Sequence, residues 1–183
     1  MSAPAFDPLS LDIAAFAKQG DEVSGVWPLV ALDRLRLEAH ADACPAESDQ
    51  VEWRATGETR SCRGAQPQVW LHLNCGTRMA LICQRCLQPL ETVVQAQRSF
   101  RFVDNEALAA AIDADSEDDV LALCRTLNLV ELIEDELLLA LPLVPRHSVC
   151  PQPLKPREDT EPFEERAHPF AVLSELKRKP LPN

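Results

Sequence analysis

The sequence predicts an α+β fold: an antiparallel β-sheet packed against an α-helix in the C-terminal half, followed by an extended Pro-rich tail and a short terminal helix. Three observations point there. Four strand-like runs follow one another between Val51 and Val103, separated by turn residues. The stretch from Asn128 to Ala140 has the capping residue and apolar spacing of a helix. Nine of the 15 prolines stand at or after Pro142, where periodicity disappears. The implied organisation is one α+β domain over residues 1–150, a flexible linker over 151–168, and a short helix with a basic tail over 169–183.

Taken in order, Ser10 to Gln19 places Leu11, Ala14, Ala15 and Phe16 at helical spacing, with Ser10 as N-cap and Gly20 as the stop. Val23 to Val30 reads as a strand, and Pro28 to Leu35 turns helical before a polar loop. The central strands are Val51 to Arg60, Gln68 to Cys75, Arg78 to Cys83 and Glu91 to Val103; Gly57, the Gly64 to Pro67 stretch and Gly76-Thr77 supply the turns. Alternation turns Val69, Leu71 and Leu73 toward the core and Trp70, His72 and Asn74 away from it. By the same rule Phe100 and Phe102 share a face with Arg98, while Ser99 and Arg101 lie opposite. An Ala-rich piece from Glu106 to Ile112 precedes the acidic run Asp113 to Asp119, whose self-repulsion predicts a mobile loop. In the main helix Asn128 is the cap and Glu131 its capping-box partner, with Val130, Ile133, Leu137 and Ala140 as the apolar stripe. Its acids Glu131, Glu134, Asp135 and Glu136 read as a charged surface face. In the tail, Phe170, Leu173 and Leu176 share one side of a short helix ended by Lys177, Arg178 and Lys179.

Charge is segregated along the chain. The net charge is -11, yet residues 51–103 carry seven bases against three acids, and residues 166–183 carry four against one. An acidic whole-molecule field opposes approach to a phosphate backbone, so nucleic-acid contact must be local to these two basic islands. The acidic remainder suits a basic protein partner. No apolar run reaches the ~18 residues a membrane span needs. Seven cysteines leave one unpaired in any disulfide framework, and the N-terminus lacks a basic-then-apolar leader, so a reducing cytoplasm is expected. No Gly-rich phosphate loop, Gly-x-Ser-x-Gly turn or His-Glu-x-x-His helix is present, which leaves an enzyme without an identified catalyst.

The chemistry concentrates in Cys83-Gln84-Arg85-Cys86. Thiols at this spacing reach one metal ion or form one small disulfide ring. His147 and Cys150 repeat the spacing downstream, and the four together offer the three-sulfur, one-imidazole set of structural zinc. Cys62, Cys75 and Cys124 are spare ligands. The alternatives are buried reduced thiols, or a dithiol redox pair, which would need a helix N-terminus or similar device to lower a thiol pKa. For RNA, Arg85 and Arg101 in the basic central region and the exposed Lys177, Arg178 and Lys179 are the candidate phosphate contacts.

Three ordered pieces, Leu81 to Leu90, Val130 to His147 and Pro169 to Lys177, together resemble the YceD family, the large ribosomal RNA subunit accumulation proteins of bacteria and plastids. The resemblance covers most of the chain from Leu81 onward and is loose over the N-terminal 60 residues. It implies a non-enzymatic factor that supports synthesis, processing or stability of 23S ribosomal RNA, and hence large-subunit assembly. No catalytic residues carry over. The family's Cys-x-x-Cys falls on Cys83 and Cys86, and its downstream His and Cys on His147 and Cys150. Implied partners are ribosomal RNA or a large-subunit precursor, and a basic ribosomal protein or assembly factor. A protein-binding adaptor without RNA contact is the remaining alternative.

Overall fold

A computed structural model describes residues 6–61, 64, 66–116 and 118–151. The chain forms α1 (Ile13–Gln19), β1 (Glu22–Pro28), α2 (Asp33–Leu37), β2 (Gln50–Arg60), β3 (Gln68–Ile82), β4 (Pro89–Val103), α3 (Glu106–Asp113), β5 (Asp119–Ala122) and α4 (Leu129–Leu139). The strands build one sheet in sequence order, β1-β2-β3-β4-β5. The first four are antiparallel neighbours, and β5 adds in parallel beside β4. The α+β architecture is therefore as the strand pattern predicts.

The alternation assigns the faces. Leu71, Leu73, Cys75, Thr77, Met79 and Leu81 of β3 are all buried, as their shared period-two phase requires. Against that face pack Leu11, Ile13 and Phe16 around α1, Leu32 and Leu35 around α2, and Leu129, Ile133 and Leu137 of α4. On the opposite face, Ala109 of α3 meets Val103 and Val120 in a small separate cluster. The rest of that face is largely polar, with Arg54, Asn74, Arg78, Gln95, Gln97 and Ser99 exposed, interrupted by the exposed Val26 and Val93.

Gly57 lies inside β2, paired with Leu71, and not at a turn, and three further local expectations change. Gly76 and Thr77 are no turn: β3 runs unbroken for 15 residues, with Gly76 opposite Gln95 and Thr77 opposite Val94. The Thr77 hydroxyl donates to the Gln50 carbonyl at 2.8 Å, and the apolar phase passes through both residues without a shift, which a hairpin would not allow. The cap of α1 is Asp12, whose carboxylate accepts from the Ala15 amide, because Leu11 is drawn into a bridge with Leu127. The acidic run predicted as a loop ends in a strand, since Val120 buries beneath α3 and pairs beside Arg101.

The acids of α4 are mostly spoken for. The α2 N-terminus has Leu32 at its cap position, with no side-chain acceptor. Glu134 supplies the missing one: its carboxylate accepts the Arg34 amide at 2.7 Å and the Leu35 amide at 3.1 Å, and pairs with the Arg34 guanidinium at 2.8 Å. Asp135 takes the other guanidinium nitrogen of Arg34. Glu136 is buried and accepts from Arg98 at 3.1 Å. Burial pushes the Glu134 carboxyl up, but the Leu35 and Arg34 donors outweigh it and hold it below its ordinary value. A carboxylate with a lowered folded pKa stabilises above its unfolded pKa, and that stability is lost as pH falls through the folded value. Glu134→Ala is expected to cost about 2–4 kcal/mol in urea titrations at neutral pH. The difference from wild type should shrink as the pH falls below 4.5, the ordinary value.

Candidate metal centre

Ile82 pairs with Pro89, so residues 83–88 form the tip of the β3–β4 hairpin, and the Cys-x-x-Cys is that tip. The turn is closed by the Cys83 amide donating to the Gln88 carbonyl at 3.0 Å and the Leu87 amide donating to the Cys83 carbonyl at 2.9 Å. Leu87 sits at φ 59°, the one non-glycine residue with positive φ among those described. That conformation costs a residue with a Cβ about 1–2 kcal/mol, so something beyond the turn must hold it.

The second pair arrives from below α4. After the C-cap at Ala140, Pro142 and Pro145 bar continuation of the helix, and the chain bends at residues 141, 143 and 144. The Gln84 amide binds the Pro145 carbonyl at 2.8 Å, which lays residues 145–150 along the hairpin tip. The ligand atoms of Cys83, Cys86, His147 and Cys150 then lie within 4.8 Å of one another. The three sulfurs form a buried cluster of their own, apart from the main core, with Leu90 packed against it.

Electrostatics around the sulfurs favour a cation. Burial pushes the Cys83 thiol up, but the amides of His147, Arg85 and Cys86 converge on its sulfur and bring it down to about 5. Cys150 is pushed up to about 11 by burial and by the neighbouring sulfurs of Cys86 and Cys83. Donors that favour the Cys83 thiolate, beside a Cys150 thiol that resists ionisation, suit a site whose remaining protons leave when a metal binds. The imidazole is oriented for the same purpose. Nε2 of His147 lies 3.1 Å from the Pro89 carbonyl, which only accepts, so Nε2 carries the proton and the Nδ1 lone pair faces the Cys86 sulfur at 3.4 Å.

This donor set fits zinc. Ligands 2.0–2.3 Å from a tetrahedral centre stand roughly 3.3–3.8 Å apart, so the cluster, within 4.8 Å, needs a contraction of about 1.5 Å at most. In such a centre all four positions would be filled by protein, the pattern of a structural ion that ties segments together. Of the spare thiols, Cys75 lies in the main core and is pushed up to about 12, chiefly by burial, and Cys124 is exposed. Cys62 lies outside the described residues.

The profile of the family described as "Large ribosomal RNA subunit accumulation protein YceD" matches residues 71–177, more than half of the chain. The chain belongs to the YceD family. A relative from Haemophilus influenzae carrying the same description is 33% identical over 104 residues, 54% of this chain and 60% of the relative. The chain thus spans about 60% of the length of that YceD protein. No solved structure matches it at a significant level. All four converging candidate ligands lie inside the stretch that matches the YceD profile, whereas β1, α2 and β2 precede it.

The other candidate residues divide. Arg85 is exposed on the hairpin tip, and Arg101 lies on the polar sheet face opposite Trp70, with its Nε buried and without a partner. Lys177, Arg178 and Lys179 lie outside the described residues, as do the linker from residue 152 and the terminal helix. Arg98, interleaved in sequence with the others, is on the core face and pairs with Glu136. Two residues of this YceD-family chain were not legible beforehand. Arg146 is exposed beside His147 and forms no ion pair among the described residues; its adjacency to a ligand was the available signal. Buried His40 reaches the hairpin tip from 47 positions upstream, and nothing in the sequence marks it.

Proposed function

We propose that the protein is a non-catalytic scaffold in ribosome biogenesis that supports synthesis, processing or stability of 23S ribosomal RNA and so assembly of the large subunit. The YceD-family match over residues 71–177 is the observation that carries this. The site chemistry agrees with it, since a closed set of four protein ligands binds and ties but turns nothing over. Zinc held by Cys83, Cys86, His147 and Cys150 fixes the hairpin tip to the segment after α4, and thereby sets where Arg85 and Arg146 project. These two guanidiniums, with Arg78 and Arg101 on the polar sheet face, are the folded domain's phosphate contacts, because none of the four forms an ion pair among the described residues. Lys177, Arg178 and Lys179 add a second basic contact. The basic protein partner meets acids outside α4, such as Glu38, Asp104 and Glu106, which are exposed, since those of α4 are engaged internally.

Co-sedimentation with large-subunit precursors over a salt series tests this. Association should fall steeply with salt, and Arg85→Ala with Arg146→Ala should reduce the logarithmic slope by roughly 1–2 for contacts to single strands. Absence from every precursor fraction at low salt contradicts the proposal. Association that survives neutralisation of all these bases points to the protein-only adaptor.

The dithiol alternative has one observation in its favour, the lowered Cys83 pKa. Against it, Cys83 is fully buried and Cys86 nearly so, whereas exchange with a partner disulfide needs an accessible sulfur.

A further inference from the structure

His40 stands between α2 and a short 3-10 turn, Ala41–Ala43, far in sequence from any ligand and before the stretch that matches the family. Every polar group it has is committed. Its amide donates to the Ala80 carbonyl at 2.7 Å, on a part of β3 that extends beyond the pairing with β2. Nδ1 accepts from the Asp42 amide at 3.0 Å, so the ring proton must sit on Nε2, 2.9 Å from the Leu87 carbonyl. Leu87 is the residue whose backbone is held in the left-handed region directly after Cys86. The Leu87 amide in turn donates to the Cys83 carbonyl at 2.9 Å, closing the turn that carries both thiols.

We infer that His40 is a positioning residue for the metal centre: its Nε2–H, fixed in one tautomer by the Asp42 amide, clamps the Leu87 carbonyl and holds the thiol turn in ligand-binding shape. The N-terminal third therefore takes part in the site without supplying a ligand. The inference rests on the metal-binding proposal for its effect on zinc. Its effect on the turn stands apart from that proposal.

The test uses the full chain and three variants. His40→Phe removes the donor, His40→Gln restores one at a similar reach, and His40→Phe with Leu87→Gly removes the donor together with the Cβ that makes the turn costly. Zinc affinity by chelator competition should weaken about 10–100-fold in His40→Phe. It should return to within a few-fold of wild type in His40→Gln, and recover in part in the double variant. In metal-free protein, exchange of the Leu87 amide, which closes the turn on Cys83, should speed at least about tenfold in His40→Phe while amides at the centres of β2 and β3 keep wild-type protection. Wild-type zinc affinity together with wild-type Leu87 exchange in His40→Phe overturns the inference. Equal acceleration across the sheet does so too, because it marks a purely structural histidine. If wild-type protein takes no zinc, the metal-binding proposal fails, and the metal-free exchange comparison still decides the clamp.

Discussion

Cys150→Ser is expected to weaken zinc binding about 100-fold or more and to free the segment after α4 from the hairpin tip. Four protein ligands share the ~10–16 kcal/mol of a structural zinc site, so one thiolate accounts for roughly a quarter of it, and a serine hydroxyl does not ionise to replace it. The substitution scarcely changes volume, and Cys150 belongs to the sulfur cluster and not to the main core, so the sheet should stay folded. Limited proteolysis should then cut within residues 141–151, where Leu143 and Val149 are already exposed, while β2 to β4 resist. Chelation of the wild-type protein should act alike. At free zinc about 1,000 times the dissociation constant, the ion contributes about 4 kcal/mol, so removing it should lower Tm by roughly 10 °C. Unchanged Tm and unchanged cleavage in both experiments would remove any structural role for an ion here.

Gly57→Val is expected to have the largest effect on the folded domain itself. A Cβ at Gly57 would stand 2.8 Å from Cα of Ala17, 2.8 Å from Cδ1 of Phe16 and 2.9 Å from the Ala17 nitrogen. Two of these are backbone atoms, which no rotamer change can move, so α1 must lift from β2. Phe16 and Ile13 are fully buried there, and lifting the helix exposes both. Overpacking into side chains costs about 1–3 kcal/mol; against backbone, with two apolar residues uncovered, a loss of about 3–5 kcal/mol is expected. The urea midpoint should fall accordingly. A loss under about 1 kcal/mol would mean that α1 is not seated on the sheet as described. Gly57 read in sequence as a turn glycine; it is a contact glycine in mid-strand.

The contrast at Gly57 shows where sequence sufficed. Period-two alternation gave the faces of β3 and β4 correctly, down to Arg101 on the polar side and Phe100 and Phe102 inside, because a sheet with one buried face leaves no freedom of phase. The Asn128 cap was equally local, and its side chain does bond both the Val130 amide and Glu131. What could not be read was what one element does to another. Glu134 looks like any exposed helix acid until α2 presents an uncapped N-terminus to it, a pairing across 100 residues. His40 is one of four histidines with no distinguishing neighbour. The Cys-x-x-Cys and His-x-x-Cys spacings marked both candidate pairs but not that they meet. Their meeting depends on the length of α4 and on where Pro145 sets the chain down beside Gln84.

X-ray absorption at the zinc edge, with metal content measured on freshly purified protein, tests most directly whether the hairpin tip and the segment beyond α4 are joined by one ion. One zinc per chain is predicted, with three sulfurs near 2.3 Å and one nitrogen near 2.0–2.1 Å. Cys83→Ser should lose the ion. A protein purified without metal and carrying a Cys83–Cys86 disulfide that cycles readily with a dithiol would contradict it.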